Sequence, residues 1–137
     1  MKTKVMICTS MRGLHDFEIQ NNILAAKDFV EKEFMDVEFV NNYINYTFST
    51  LDDEGDSYAL MCLGAGLTNV MSGVNAVVFA PGFLNSRGCI IEALAAKSYG
   101  KTIIALQRNY ETGEIEIMPE HSFNTNLKIV LNAMVGE

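Results

Sequence analysis

The chain has 137 residues, 49% of them hydrophobic, and a formal net charge of −7 at pH 7. That length suits one domain, residues 1–137, with a core that needs neither disulfide nor metal staple. The acidic balance, with Lys and Arg scattered from Lys2 to Lys128, excludes the basic stripe that neutralises a nucleic-acid backbone, so no nucleic-acid partner is expected.

"KTKVMICT" at 2–9 places Val5, Met6, Ile7 and Cys8 in an unbroken apolar run, which predicts a strand buried on both faces. The polar turn "SMRGLHD" leads to "FEIQNNILAAKDFVEKEF", where Ile19, Ile23, Ala26 and Val30 recur at helical spacing and Asp16 is the expected N-cap. "DVEFV" is a second short strand. "NNYINYTFSTLDDEGDS" has no period and is expected to be an irregular loop able to act as a lid. "YALMCLGAGLTNVMSG" predicts a helix weakened by two glycines, followed by the strand "NAVVFA" and the turn "PGFLNSRG". Residues 86–100, "SRGCIIEALAAKSYG", predict a helix with Ser86 as N-cap and Gly100 as its stop, then the strand "KTIIAL". "NYETGEIEIMPE" suits an edge strand or hairpin, and "SFNTNLKIVLNAMVGE" an amphipathic helix burying Leu127, Val130, Leu131 and Met134.

The alternation predicts a doubly wound α/β fold of the Rossmann or flavodoxin kind: a parallel sheet of four to five strands with helices on both faces. In the common 2-1-3-4 order, the first strand and "NAVVFA" are neighbours whose helices leave to opposite faces, and ligands bind in the crevice between them. No charged residue occurs from Ser57 to Ser86. This stretch is nonetheless broken by Gly64, Gly66, Gly73, Pro81, Gly82 and three asparagines, and never reaches about 18 consecutive apolar residues, so no membrane span is expected. The opening "MKTKVMIC" lacks the apolar stretch of a signal peptide. Cys8, Cys62 and Cys89 form no C-x-x-C pair, and His15 and His121 have no ligand-like spacing to them. Reduced thiols in a cytoplasmic protein without metal or cofactor are therefore expected.

Glu92 is the one carboxylate of the 86–100 helix, and Gly88, Cys89, Ala95 and Ala96 stand three and four residues from it. An isolated helical Glu is ordinarily a solvated surface residue. Small neighbours instead leave room for another backbone or a ligand, and the helix leaves the expected crevice. The turn Thr9, Ser10, Met11, Arg12 and Gly13 offers hydroxyls, a guanidinium and a glycine ahead of a helix, which are the parts of a small anion site as well as of an ordinary strand-to-helix turn. The turn with Gly82, Ser86, Arg87 and Gly88 repeats that chemistry, so a phosphate or sugar phosphate is expected where the two converge. "GAGLTN" at 64–69 departs from a dinucleotide fingerprint: Asn69 replaces the third glycine and no suitably placed acid follows. The eight methionines read as core filler.

Taken together, "CTSMRG" at 8–13 and "NAVVFAPGFLNSRGCIIEALAAKSYGK" at 75–101 resemble the nucleoside 2-deoxyribosyltransferase superfamily. The likeness is greatest to its small phage and bacterial members of unknown function, and the first motif is also similar to the turn of the 2'-deoxynucleoside 5'-phosphate N-hydrolases. The resemblance covers about residues 4 to 105 and rests on the order and spacing of the two motifs. It implies that Glu92 is a nucleophile attacking the anomeric carbon of a deoxyribose, forming a sugar ester that water or a second base resolves. It implies that Ser10, Arg12, Gly13 and Ser86 hold the sugar or its 5'-phosphate, and that the protein is a dimer or higher homo-oligomer. A neighbour's C-terminal region then completes the site, which singles out Asn132 and Met134. The family's aspartate at the start of the third strand is Asn75 here; asparagine can hydrogen-bond but cannot protonate a leaving base. Asp52, Asp53 and Asp56 of the preceding loop are candidate substitutes. Two functions follow: a deoxynucleoside or deoxynucleotide N-glycosidase or deoxyribosyltransferase, or a nucleotide-binding module of the same fold that has lost turnover.

Overall fold

The structure, a computed structural model, describes residues 2–10, 14–40, 63–64, 66–68 and 73–135. The expected 41–57 loop, with Asp52, Asp53 and Asp56, lies outside the described residues, as do Cys62 and the turn residues Met11, Arg12 and Gly13.

Strands β1 (Thr3–Cys8), β2 (Val37–Val40), β3 (Ala76–Phe79), β4 (Thr102–Arg108) and β5 (Ile115–Ile117) form one sheet in the order β2-β1-β3-β4-β5. The pairs β1–β2, β1–β3 and β3–β4 are parallel, as the alternating pattern predicts, while β5 pairs antiparallel with β4. A crossover helix cannot fit between β4 and β5, because the connection is a tight turn. In that turn Asn109 Oδ1 accepts from the amides of Glu111 and Thr112 at 2.8 and 3.0 Å, and Gly113 takes φ +76°.

Because β1 and β3 are covered on both sides, their successive side chains feed two different cores. Val5, Ile7, Ala76, Val78 and Leu106 pack with Ala26 and Val30 of helix α1 (Asp16–Glu33). On the other face, Met6, Cys8, Val77 and Phe79 pack with Cys89, Ile90, Ala93 and Ala96 of α2 (Arg87–Ser98) and Phe123 and Leu127 of α3 (Glu120–Val135). Helices thus cover both faces. Residues 63–64 and 66–68 are helical, as expected; residues 58–62, 65 and 69–72 of the expected helix lie outside the described residues. No described helix is long and apolar enough to cross a membrane.

Three helix ends are set by their caps. The N-cap of α1 is His15 and not Asp16: the His15 amide donates to the Glu18 carboxylate at 3.0 Å, which ties the chain down one residue earlier. Ser86 caps α2 as expected, its hydroxyl accepting from the Cys89 amide at 3.3 Å. Gly100, at φ +71°, turns the chain out of α2 so that the Lys101 amide closes on the Ala96 carbonyl at 2.9 Å. Phe123, Leu127, Val130 and Leu131 carry the buried face of α3, while Met134 is 40% exposed at its end.

Candidate functional site

The neighbours β1 and β3 end together, with Cys8 opposite Phe79 and the Ala80 amide donating to the Cys8 carbonyl at 2.9 Å. From there β1 leads to α1 on one face and β3 leads to α2 on the other, so the chain opens a crevice at this reversal of strand order. The link from β3 is the turn of Pro81 and Gly82 and a 3-10 turn at Phe83–Asn85. Gly82 has φ +88°, which a glycine adopts without strain. Ser86 then starts α2, and one and a half turns later α2 brings Glu92 back beside the end of β1.

Glu92 is half-buried and sits among small groups. Cys8 and Cys89 both lie beside its carboxylate. On another side stands Gly66 of the 63–68 helix: a Cβ built there would collide with Glu92 Oε2, lie 3.0 Å from its Cδ and touch the Met6 methyl at 3.5 Å. The glycine's backbone is therefore in direct contact with the carboxylate. Burial pushes Glu92 up to a pKa of about 7, against the Cys8 thiol, which pulls it down. The group thus holds its proton to a higher pH than a solvated glutamate would. Burial and the Glu92 charge push the Cys8 thiol well above its ordinary range and Cys89 to about 12, so both stay protonated near neutrality.

The other expected site residues divide into three groups. Thr9 and Ser10 do reach the crevice end of β1. Thr9 is only 5% exposed, and its hydroxyl has no hydrogen-bond partner among the described residues. Ser10 is half-buried. In the second turn, Ser86 is engaged as the α2 cap, Arg87 is exposed in the first turn of α2, and the space above Gly82 and Gly88 is open: a Cβ at Gly88 would meet only Ser86 Oγ, at 3.9 Å. Met11, Arg12 and Gly13 lie outside the described residues.

Asn75 is not brought to Glu92. Its Oδ1 accepts from the Lys4 amide at 2.9 Å and its own amide donates to the Lys4 carbonyl at 2.9 Å, at the N-terminal edge of the sheet. Lys4 is four residues before Cys8, which at about 3.3 Å per residue is some 13 Å along the strand. The residue ahead of a parallel strand emerges at the edge opposite the crevice, so Asn75 fastens β1 to β3 and does not position or protonate anything at Glu92. The sequence reading also left out two neighbours that matter. Cys8 was signalled by alternation along β1, which turns it toward the α2 face with Met6; Gly66 had only its unfavourable place inside a helix as a signal.

Two open hollows of about 490 and 500 Å³ lie elsewhere, one beside Lys97, Lys101 and Phe123, the other beside Gly82, Asn85 and Arg108; Glu92 lines neither. Among the described residues no group of three or more His, Cys, Asp or Glu side chains could hold a metal ion. Fold and site together define an α/β protein with a half-buried carboxylate at the reversal of its strand order. No protein-family model, curated protein or solved structure matches the chain.

Proposed function

We propose that the chain is an N-glycosidase or deoxyribosyltransferase acting on a deoxynucleoside or its 5'-monophosphate, with Glu92 as nucleophile. The observation that carries this reading is the place of Glu92: a half-buried carboxylate beside the end of β1, where the strand order reverses, walled by Gly66, Cys8 and Cys89. The likeness of the 8–13 and 75–101 motifs to nucleoside 2-deoxyribosyltransferases supports it further. An ionised Glu92 oxygen attacks the anomeric carbon, the carbon–nitrogen bond breaks, and its electron pair leaves with the base, which takes a proton from water. Water or a second base then displaces Glu92 from the sugar ester. Confinement away from solvent strengthens the interaction of the carboxylate with the developing oxocarbenium charge. Thr9 and Ser10, with Arg12 of the same turn, bind the sugar phosphate, and Ser86, Arg87 and Gly88 border it from α2. Asn75 has no part in this mechanism. The protein works in the cytoplasm as a homo-oligomer whose exposed Asn132 and Met134 face a neighbouring copy.

A non-catalytic nucleotide-binding module is the second reading. It is favoured by the chemistry around Glu92, whose titratable neighbours among the described residues, Cys8 and Cys89, hold their protons too tightly to serve as general acids near neutrality. Incubation with a panel of deoxynucleosides and deoxynucleoside 5'-monophosphates, with chromatography of the free base, separates the two. Base release that disappears in Glu92→Gln supports the enzyme. Nucleotide binding without release from any substrate replaces it with the binding module.

A further inference from the structure

The Gly64 and Gly66 pair, read from sequence as a defective dinucleotide fingerprint, has a different use. Both glycines are helical, yet their surroundings are opposite: nothing lies within 4 Å of a Cβ placed on Gly64, whereas one on Gly66 runs into the Glu92 carboxylate and the Met6 methyl. Glycine inside a helix is less favourable than alanine, so a position where alanine fits gains stability on replacement. At Gly66 that gain is opposed by a collision that drives the Glu92 carboxylate out of its place beside Cys8 and Cys89 of the packed core.

The geometry assigns Gly66 the role of positioning residue for Glu92: its bare backbone is the seat against which the carboxylate rests, and the absence of a side chain there fixes how far the carboxylate projects from α2. This inference rests on Glu92 being the working group of the site, and it concerns the placement of the carboxylate rather than the reaction. Gly66 also acts as a screen. The helix can approach this closely only because residue 66 has no Cβ, and the approach removes water from one side of Glu92. Among the described residues, the titratable groups facing the carboxylate from the packed elements are Cys8 on β1 and Cys89 on α2.

The test is a size exchange. Gly64→Ala, Gly66→Ala, Glu92→Asp and the double variant Gly66→Ala/Glu92→Asp are compared by thermal unfolding, and the Glu92 carboxyl is titrated by carbon-13 NMR in the wild type and Gly66→Ala. Gly64→Ala is expected to raise the melting temperature and Gly66→Ala to lower it. In the Glu92→Asp background, where the carboxylate is one methylene shorter, Gly66→Ala is expected to cost little or nothing. In Gly66→Ala the Glu92 titration midpoint is expected to fall by one unit or more toward the ordinary glutamate range, as the displaced carboxylate meets water. If Gly66→Ala alone does not fold, folding of the double variant supports the seat and failure of both overturns it. Gly66→Ala costing the same in both backgrounds, or leaving the Glu92 midpoint where it was, also overturns it. These measurements need no substrate, so they fail or succeed separately from the glycosidase reading.

Discussion

Glu92 imposes a pH-dependent load on the fold, and Glu92→Gln should lift it. The carboxyl moves from an ordinary value of 4.5 to about 7 on folding, and one unit corresponds to about 1.4 kcal/mol. The full shift would be worth roughly 3.5 kcal/mol; the site is half-open to solvent, and screening brings the expected effect to about 2 to 3 kcal/mol. Its sign follows from proton counting. Between pH 4.5 and 7 the folded chain holds the Glu92 proton while the unfolded chain has released it, so the contribution is intact at low pH, declines as pH rises, and levels off above about 7. Glutamine matches the neutral acid in shape, keeps an acceptor for the Cys8 thiol, and does not titrate. Urea unfolding of wild type and Glu92→Gln at several values from about pH 5 to 8.5 should give two profiles that converge at the acid end and separate by about 2 to 3 kcal/mol at the alkaline end, with the variant more stable. Titrating groups away from Glu92 cancel in the difference, and Cys8 and Cys89, whose thiols the Glu92 charge raises, stay protonated in the folded protein across this range. Parallel profiles would refute the reasoning, since they would mean that Glu92 titrates alike in folded and unfolded chains.

Three further outcomes follow from the same site. Thr9→Val removes a buried hydroxyl that has no partner among the described residues and keeps its shape, so the ligand-free protein should gain about 1 kcal/mol in thermal unfolding while its stabilisation by added deoxynucleotide shrinks. With Cys8 and Cys89 both held as thiols by burial, native protein treated with iodoacetamide near pH 7.5 should show neither peptide alkylated by mass spectrometry, and denatured protein should show both; native labelling would contradict their placement. If Glu92 is the nucleophile it acts ionised, so base release should rise with pH along a limb of apparent pKa about 7, in place of the limb near 4.5 that a solvated glutamate would give.

Much of this architecture was legible because its signals are local. The unbroken apolar run of Val5 to Cys8 specifies a strand buried on both faces, and Ser86, three residues ahead of the Cys89 amide, specifies a helix start. The antiparallel direction of β5 is likewise written in the short turn of Asn109 and Gly113. What was not legible depends on where strands stand in three dimensions. Asn75 looked like a partner of Glu92 by resemblance alone, yet it precedes β3 and so emerges at the edge away from the crevice, bonded to Lys4. Gly66 is 26 positions from Glu92 in the chain, and no periodicity within its own helix announces that its missing side chain makes room for a carboxylate on another. The raised pKa of Glu92 has the same origin: it depends on what covers the group, and sequence neighbours such as Ala95 and Ala96 show only that little bulk stands in the way.

The most direct measurement is mass spectrometry of the intact and digested protein, quenched in acid during incubation with a deoxynucleoside 5'-monophosphate and, separately, with a deoxynucleoside. A transient mass gain of one deoxyribosyl unit, with its phosphate where the monophosphate is used, is expected on the peptide carrying Glu92 and absent from Glu92→Gln. Base released without any adduct on that peptide, or an adduct that persists in Glu92→Gln, would contradict Glu92 as the nucleophile.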